Sequence, residues 1–146
     1  MKVGNFVDKE DTSVNGENTN TNQTSPRWFI DLDWHQQSNR SFFALAQGCL
    51  CPKCQERLKG EISATDLLAT IKDCCSKTPN FITGQLPILE SIFRLFLTNG
   101  NQPLDLEELG RQLSEWRGGD TYRTSAEILP RLLASDQYYG LRQINE

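Results

Sequence analysis

The sequence predicts a mainly α-helical protein with a few short strands, in which a cysteine-bearing helical module packs on a three-helix unit. Three observations carry that expectation. Apolar residues recur at helical spacing in separate stretches, and Gly- and Pro-containing breaks divide those stretches. Five cysteines crowd into positions 49–75. The chain has 146 residues, which suits one ordinary domain or two very small ones. Its apolar content is a lean 37%, and the deficit lies at the N-terminus.

Residues 1–26 read as a disordered tail. Asn15, Asn18, Asn20 and Asn22 are interspersed with Thr, Gly and Glu, and too few apolar side chains are present to offset the entropy of ordering. Residues 27–79 form the cysteine-rich, metal-binding module. Trp28, Ile30, Leu32 and Trp34 alternate with Phe29, Asp31 and Asp33, as in a short strand with one wet face, although so brief a run also suits a helix. Ser38 or Asn39 can cap a helix through Phe42, Phe43, Leu45 and Ala46 that stops at Gly48. Ser63 and Asp66 make a capping-box-like pair, with Leu67, Leu68, Ile71, Cys74 and Cys75 near one face of the following helix.

Residues 80–146 hold three helical signals. Leu86–Thr98 carries the stripe Ile88, Leu89, Ile92, Phe93, Phe96 and Leu97, and Asn99-Gly100-Asn101-Gln102-Pro103 breaks it. Asp105 caps a helix to Trp116, with Glu107 and Glu108 in the first turn and Gly118-Gly119 beyond its end. Thr124 and Glu127 fit a capping box for a third helix to Ser135, in which Pro130 is expected to make a kink. Tyr138-Tyr139-Gly140-Leu141-Arg142 reads as a terminal strand.

Charge narrows the function. Fifteen Lys and Arg against nineteen Asp and Glu leave a formal charge of −4. A nucleic-acid coat or a polybasic membrane anchor needs the opposite balance. No apolar run approaches the roughly 18–20 residues of a membrane span, and the first residues lack a signal-peptide core. The expected location is the cytoplasm, where cysteines stay reduced and ligate metal more often than they form disulfides.

Cys51-Pro52-Lys53-Cys54 is a knuckle: two thiolates on a tight turn, able to hold one tetrahedral ion, with Pro52 stiffening the turn. Cys74 and Cys75 follow about twenty residues on, near the spacing of structural zinc modules. The expected ligands are Cys51 and Cys54, one or both of Cys74 and Cys75, and then Cys49 or His35. Structural zinc is the leading cofactor. An iron–sulfur cluster, which also takes Cys thiolates, is the lesser alternative, and simple buried thiols are the plain one. Catalysis has no visible constellation. His35 is the single histidine, Asp31 and Asp33 read as solvated carboxylates, and no Ser or Thr has a base partner.

The run Gln102-Pro103-Leu104-Asp105-Leu106-Glu107-Glu108-Leu109-Gly110-Arg111-Gln112-Leu113, with a helix before it, resembles the entry of a winged helix-turn-helix domain. The resemblance implies that 124–135 is the recognition helix and 137–144 the strand that begins the wing. It implies a zinc-stapled helical module packed on a winged-helix-like three-helix domain. Two features depart from the DNA-binding form: Pro130 sits in the recognition helix, and residues 78–146 carry six Arg and no Lys against nine acids, a net of −3. The expected function is accordingly a non-enzymatic adaptor that docks on a larger protein assembly, transcriptional assemblies included. The alternative is a DNA-binding regulator using the same face. Arg117, Arg123 and Arg131 are the candidate contacts in either case.

Overall fold

The fold was obtained as a computed structural model, which describes residues 26–58, 62–118, 125 and 127–144. The tail predicted over 1–26 lies outside the described residues except for Pro26. Among the described residues no helix is long and apolar enough to cross a membrane.

Strand β1 (Arg27–Ile30) opens the fold, and α1 (Leu32–Gln37) follows at once. The run read as strand or helix is therefore both. Asp31 makes the switch: its carboxylate accepts from the amides of Asp33 and Trp34, which ends the strand and caps the helix. Ser41, rather than Ser38 or Asn39, caps α2 (Phe42–Gln47) by accepting from Ala44 N. Helix α3 (Pro52–Arg57) has Pro at its start, where no amide hydrogen is needed. Ser63 caps α4 (Ala64–Asp73) through Asp66 N, as its sequence predicts.

In the second half, α5 (Ile88–Thr98) buries Ile88, Ser91, Ile92, Phe93, Leu95, Phe96 and Leu97, so it is surrounded on most sides. It packs against α4, β1 and α6 (Leu106–Trp116), the last capped by Asp105 through Glu108 N. Strand β2 (Leu104–Asp105) precedes α6, and β3 (Leu141–Gln143) is the last element among the described residues. Helix α7 (Leu129–Ser135) is shorter than the predicted 124–135. Pro130 stands in its first turn, so the expected kink does not arise; that turn has no intrahelical amide bond to lose. Thr124 lies outside the described residues.

The sheet is antiparallel with the order β2-β1-β3. Its central strand comes from the 27–79 segment and both edges from the 80–146 segment. Trp28 pairs with Leu104 on one side and Gln143 on the other, and Ile30 pairs with Leu141. Because β2 has only two residues, Ile30 has no ladder partner there. Asn101 replaces it: its side-chain oxygen accepts from Ile30 N at 2.8 Å, and its amide donates to Ile30 O at 2.9 Å. The buried apolar residues form one cluster that spans both segments, from Phe42 and Leu67 to Leu129 and Leu141.

Among the described residues four polar side chains are buried with this core: His35, Ser91, Arg117 and Asp136. Arg117 is 6% exposed, and its guanidinium donates to the carbonyls of Thr83, Gly84 and Leu86 and to Ser91 Oγ. The loop from 83 to 86 is thus tied to the end of α6. His35 is 2% exposed, with Nε2 2.8 Å from Tyr139 O. A carbonyl only accepts, so Nε2 carries the proton. Nδ1 is buried without a hydrogen-bond partner among the described residues. Gly140, at φ +76°, lies directly over the ring: a Cβ there would meet Nε2 at 2.7 Å.

Replacing Arg117 by Ala is expected to destabilise the protein by about 3 kcal/mol, since three inward carbonyls lose their donor. Denaturant unfolding measures it; a change below about 1 kcal/mol would mark Arg117 as an ordinary surface residue. Burial lowers the His35 pKa from its usual value, against the opposing pull of the Tyr139 hydrogen bond and the nearby Asp136, with Arg40 adding to the lowering. The unfolded chain therefore takes up a proton at about pH 6.5 that the folded chain refuses. The His35 contribution is present above pH 6.5 and lost below it. Melting curves from pH 7.5 to 5.5 should fall more steeply for wild type than for His35→Phe; parallel curves would refute this.

Candidate metal centre

The four sulfurs of Cys51, Cys54, Cys74 and Cys75 lie within 4.8 Å of one another. Helix α3 delivers one pair, and the junction of α4 with a 3-10 turn delivers the other. Cys51 is the N-cap of α3, held extended at φ −69° and ψ 158°, and Cys54 lies one turn into that helix. The Pro52 ring fixes the direction in which the turn leaves Cys51.

The second pair depends on a helix end. Adjacent residues of a continuous α-helix point about 100° apart, and one ion seldom receives both. Here α4 stops at Asp73. Cys74 takes the C-cap position at φ −124° and ψ −66°, and a 3-10 turn over Cys75–Lys77 begins immediately. The break turns both thiols toward α3. Cys51 Sγ lies 3.5 Å from Cys75 Sγ and 3.9 Å from Cys74 Sγ.

These separations fit a single ion. Four thiolates at about 2.3 Å from one tetrahedral ion stand about 3.8 Å apart. The Cys51 amide also donates to Cys75 Sγ at 3.3 Å, a bond that favours the thiolate. Hydrogen bonding from the Cys54 backbone, the largest effect, lowers the Cys51 pKa to about 7, while desolvation raises those of Cys54 and Cys75. The cluster as a whole suits a dication: it offers one easily ionised thiol and others that ionise when positive charge arrives. Cys54 and Cys75 are buried, whereas Cys51 and Cys74 keep part of their surface open, leaving a route for an ion to enter. The four close cysteines can thus hold a metal ion.

Two predicted ligands fall outside the group. Cys49 is buried nearby in sequence, but its Sγ turns back toward Leu45 O at 3.7 Å, and desolvation pushes its pKa to about 11. It is a protonated core thiol. His35 is enclosed by Trp34 and Phe42 and bonded to Tyr139 O, well removed in role from the cysteines.

The three arginines expected at a binding face separate as well. Arg117 is not available to a phosphate, because its guanidinium is buried against the 83–86 loop and Ser91. Arg123 lies outside the described residues. Arg131 is exposed on α7. On α6, Arg111 pairs with Glu108 and, at 2.7 Å, with Glu115.

Sequence reasoning passed over Asn101 and Asp136. Asp136 is 3% exposed, and its carboxylate accepts from the amides of Tyr138, Tyr139 and Leu141. An Asp just after a helix and two residues before a Tyr-Tyr-Gly turn is a legible loop-forming signal.

Substituting Ser for any one of Cys51, Cys54, Cys74 or Cys75 should abolish stoichiometric metal and lower the melting temperature, since binding free energy is folding free energy at such a site. Cys49→Ala should keep the metal. Elemental analysis of purified variants decides it; full metal retention in two of the four Ser variants would overturn the ligand set.

No family model, curated protein or solved structure matches this chain in comparison with known proteins.

Proposed function

We propose that the protein is a non-enzymatic, zinc-stabilised adaptor that docks on a larger protein assembly through its C-terminal, winged-helix-like part. The observation that carries this reading is the fate of the basic side chains. Phosphate binding needs guanidinium and ammonium groups free to face the backbone of the duplex. Arg117 faces inward, Arg111 lies between two carboxylates, and the segment from 78 to 146 is net acidic. Such a face suits a protein partner better than DNA.

The succession α5, β2, α6, α7, β3 supports the winged-helix-like reading, with one difference. Strand β3 is paired by β1, a strand from the other end of the chain. Zinc is favoured over an iron–sulfur cluster because a cluster distributes its thiolates over more than one iron, whereas these four sulfurs sit at the spacing of a single ion. The non-enzymatic reading is supported by the single histidine being enclosed in the core.

Titration of the zinc-loaded protein against random duplex DNA at two salt concentrations tests the reading. The expected affinity at physiological salt is no tighter than the non-specific range, about 10⁻⁴ to 10⁻⁶ M. Tighter binding would support the DNA-binding regulator instead, provided that Arg131→Ala lowers its salt slope by about one unit.

A further inference from the structure

Residues 136–140 form a tight loop that presents an aromatic side chain outward. The Asp136 carboxylate gathers three backbone amides, and Arg142 donates to Asp136 O at 3.1 Å. Gly140 takes a positive φ against the His35 ring, and Tyr139 tilts onto Phe93. All of these contacts hold the loop still, yet Tyr138 stays 51% exposed. Its ring is braced edge-on by Tyr139 at 4.9 Å. A rigid exposed aromatic binds at low entropic cost, because little remains to be ordered.

Tyr138 stands between two shallow grooves of about 270 and 260 Å³ that share it with Ala44 and Leu45 of α2. One groove is floored by Phe93 and Tyr139; Arg40 closes the other. The Arg40 guanidinium lies over both the Tyr138 ring, at 5.5 Å, and the Trp34 ring, at 5.8 Å. Arg142 lies over the same Trp34 ring at 4.7 Å. The acids around this patch are engaged: Asp31 caps α1, Asp136 holds the loop, and Glu90 pairs with Arg94 at 2.9 Å. Asp33 is the exposed carboxylate on α1. Arg40 is exposed and makes no ion pair among the described residues. Trp, Tyr and Arg together are the side chains that most often dominate binding energy at interfaces.

We infer that the face formed by Arg40, α2 and Tyr138 docks an acidic segment of a protein partner, with a carboxylate on Arg40 and an apolar side chain in the groove beside Tyr138. This rests on the adaptor reading and names the chemistry of the partner. It locates the contact at the 136–140 loop of the C-terminal part, where that loop meets Arg40 and α2.

The test uses the full zinc-loaded chain and a short fluorescein-labelled peptide that alternates Glu with Leu, read by anisotropy. Binding is expected, weakened by added salt and reduced at least about tenfold by Arg40→Glu and by Tyr138→Ala. Both side chains are exposed, so both variants should melt with wild type; Arg40→Lys, which keeps the charge, should retain most of the binding. A peptide alternating Lys with Leu should fail to bind. No binding of the Glu-Leu peptide by wild type, or equal binding by the two variants, would overturn the inference. Stronger binding of labelled oligothymidylate, lost in the same variants, would overturn it in favour of single-stranded nucleic acid. Failure here, with the duplex titration still negative, removes this face and leaves the adaptor reading standing. A positive duplex titration removes that reading whatever the peptide does.

Discussion

The fold depends on β1 standing in the middle of its sheet. Neither edge strand can pair with the other, because β2 and β3 meet only β1. A three-residue and a two-residue strand have almost no stability by themselves. Removing Arg27–Ile30 would leave the backbone groups of both without partners and open the apolar cluster beneath them. Asn101 shows how firmly the strand is held. Where β2 runs out, a single side-chain amide supplies the acceptor and the donor that Ile30 would otherwise lack. That arrangement needs Asn101 at φ 63°, a conformation that Asn tolerates better than most residues. The break after α5 is thus a structural contact as much as a connector.

Buried polar groups do the remaining work of joining irregular segments. Arg117 collects the 83–86 loop, Asp136 collects the 138–141 turn, and His35 links α1 to that turn through Tyr139. Each replaces the ladder or helix bonds that these short connections cannot make internally. Such groups are expensive to desolvate, so each comes with several partners, and removing one leaves the others buried and unsatisfied. The consequence for function is indirect but firm. A charged side chain engaged in this way is withdrawn from binding, and Arg117, one of the three arginines expected as contacts, is a core residue.

The cysteine cluster solves a problem of size. Helices α2, α3 and α4 are six, six and ten residues long, and short helices gain little from propensity alone. Packing on α5 covers one side of α4, and the four thiols tie the start of α3 to the end of α4 on another. A bound ion would add a closed tetrahedral constraint between these short elements. The convergence relies on the α4 terminus: had the helix run one turn further, Cys74 and Cys75 would diverge.

Much of this was legible in the chain. Helical periodicity located α4, α5 and α6, and Ser63 and Asp105 marked two of their starts, because capping is a local event between residues three apart. The CxxC turn and a second pair of cysteines at suitable spacing pointed to the metal centre for the same reason. Tertiary structure decided the rest. It settled Asp31 as the hinge from strand to helix, Pro130 as a helix start and Cys49 as a core thiol. It also turned Arg117 inward and gave Asn101 to β1, a contact that crosses 71 positions of sequence. Periodicity and capping act within a turn or two of chain. Whether a charged or polar side chain meets solvent or a buried carbonyl depends on which distant loop arrives beside it, and no local pattern carries that information.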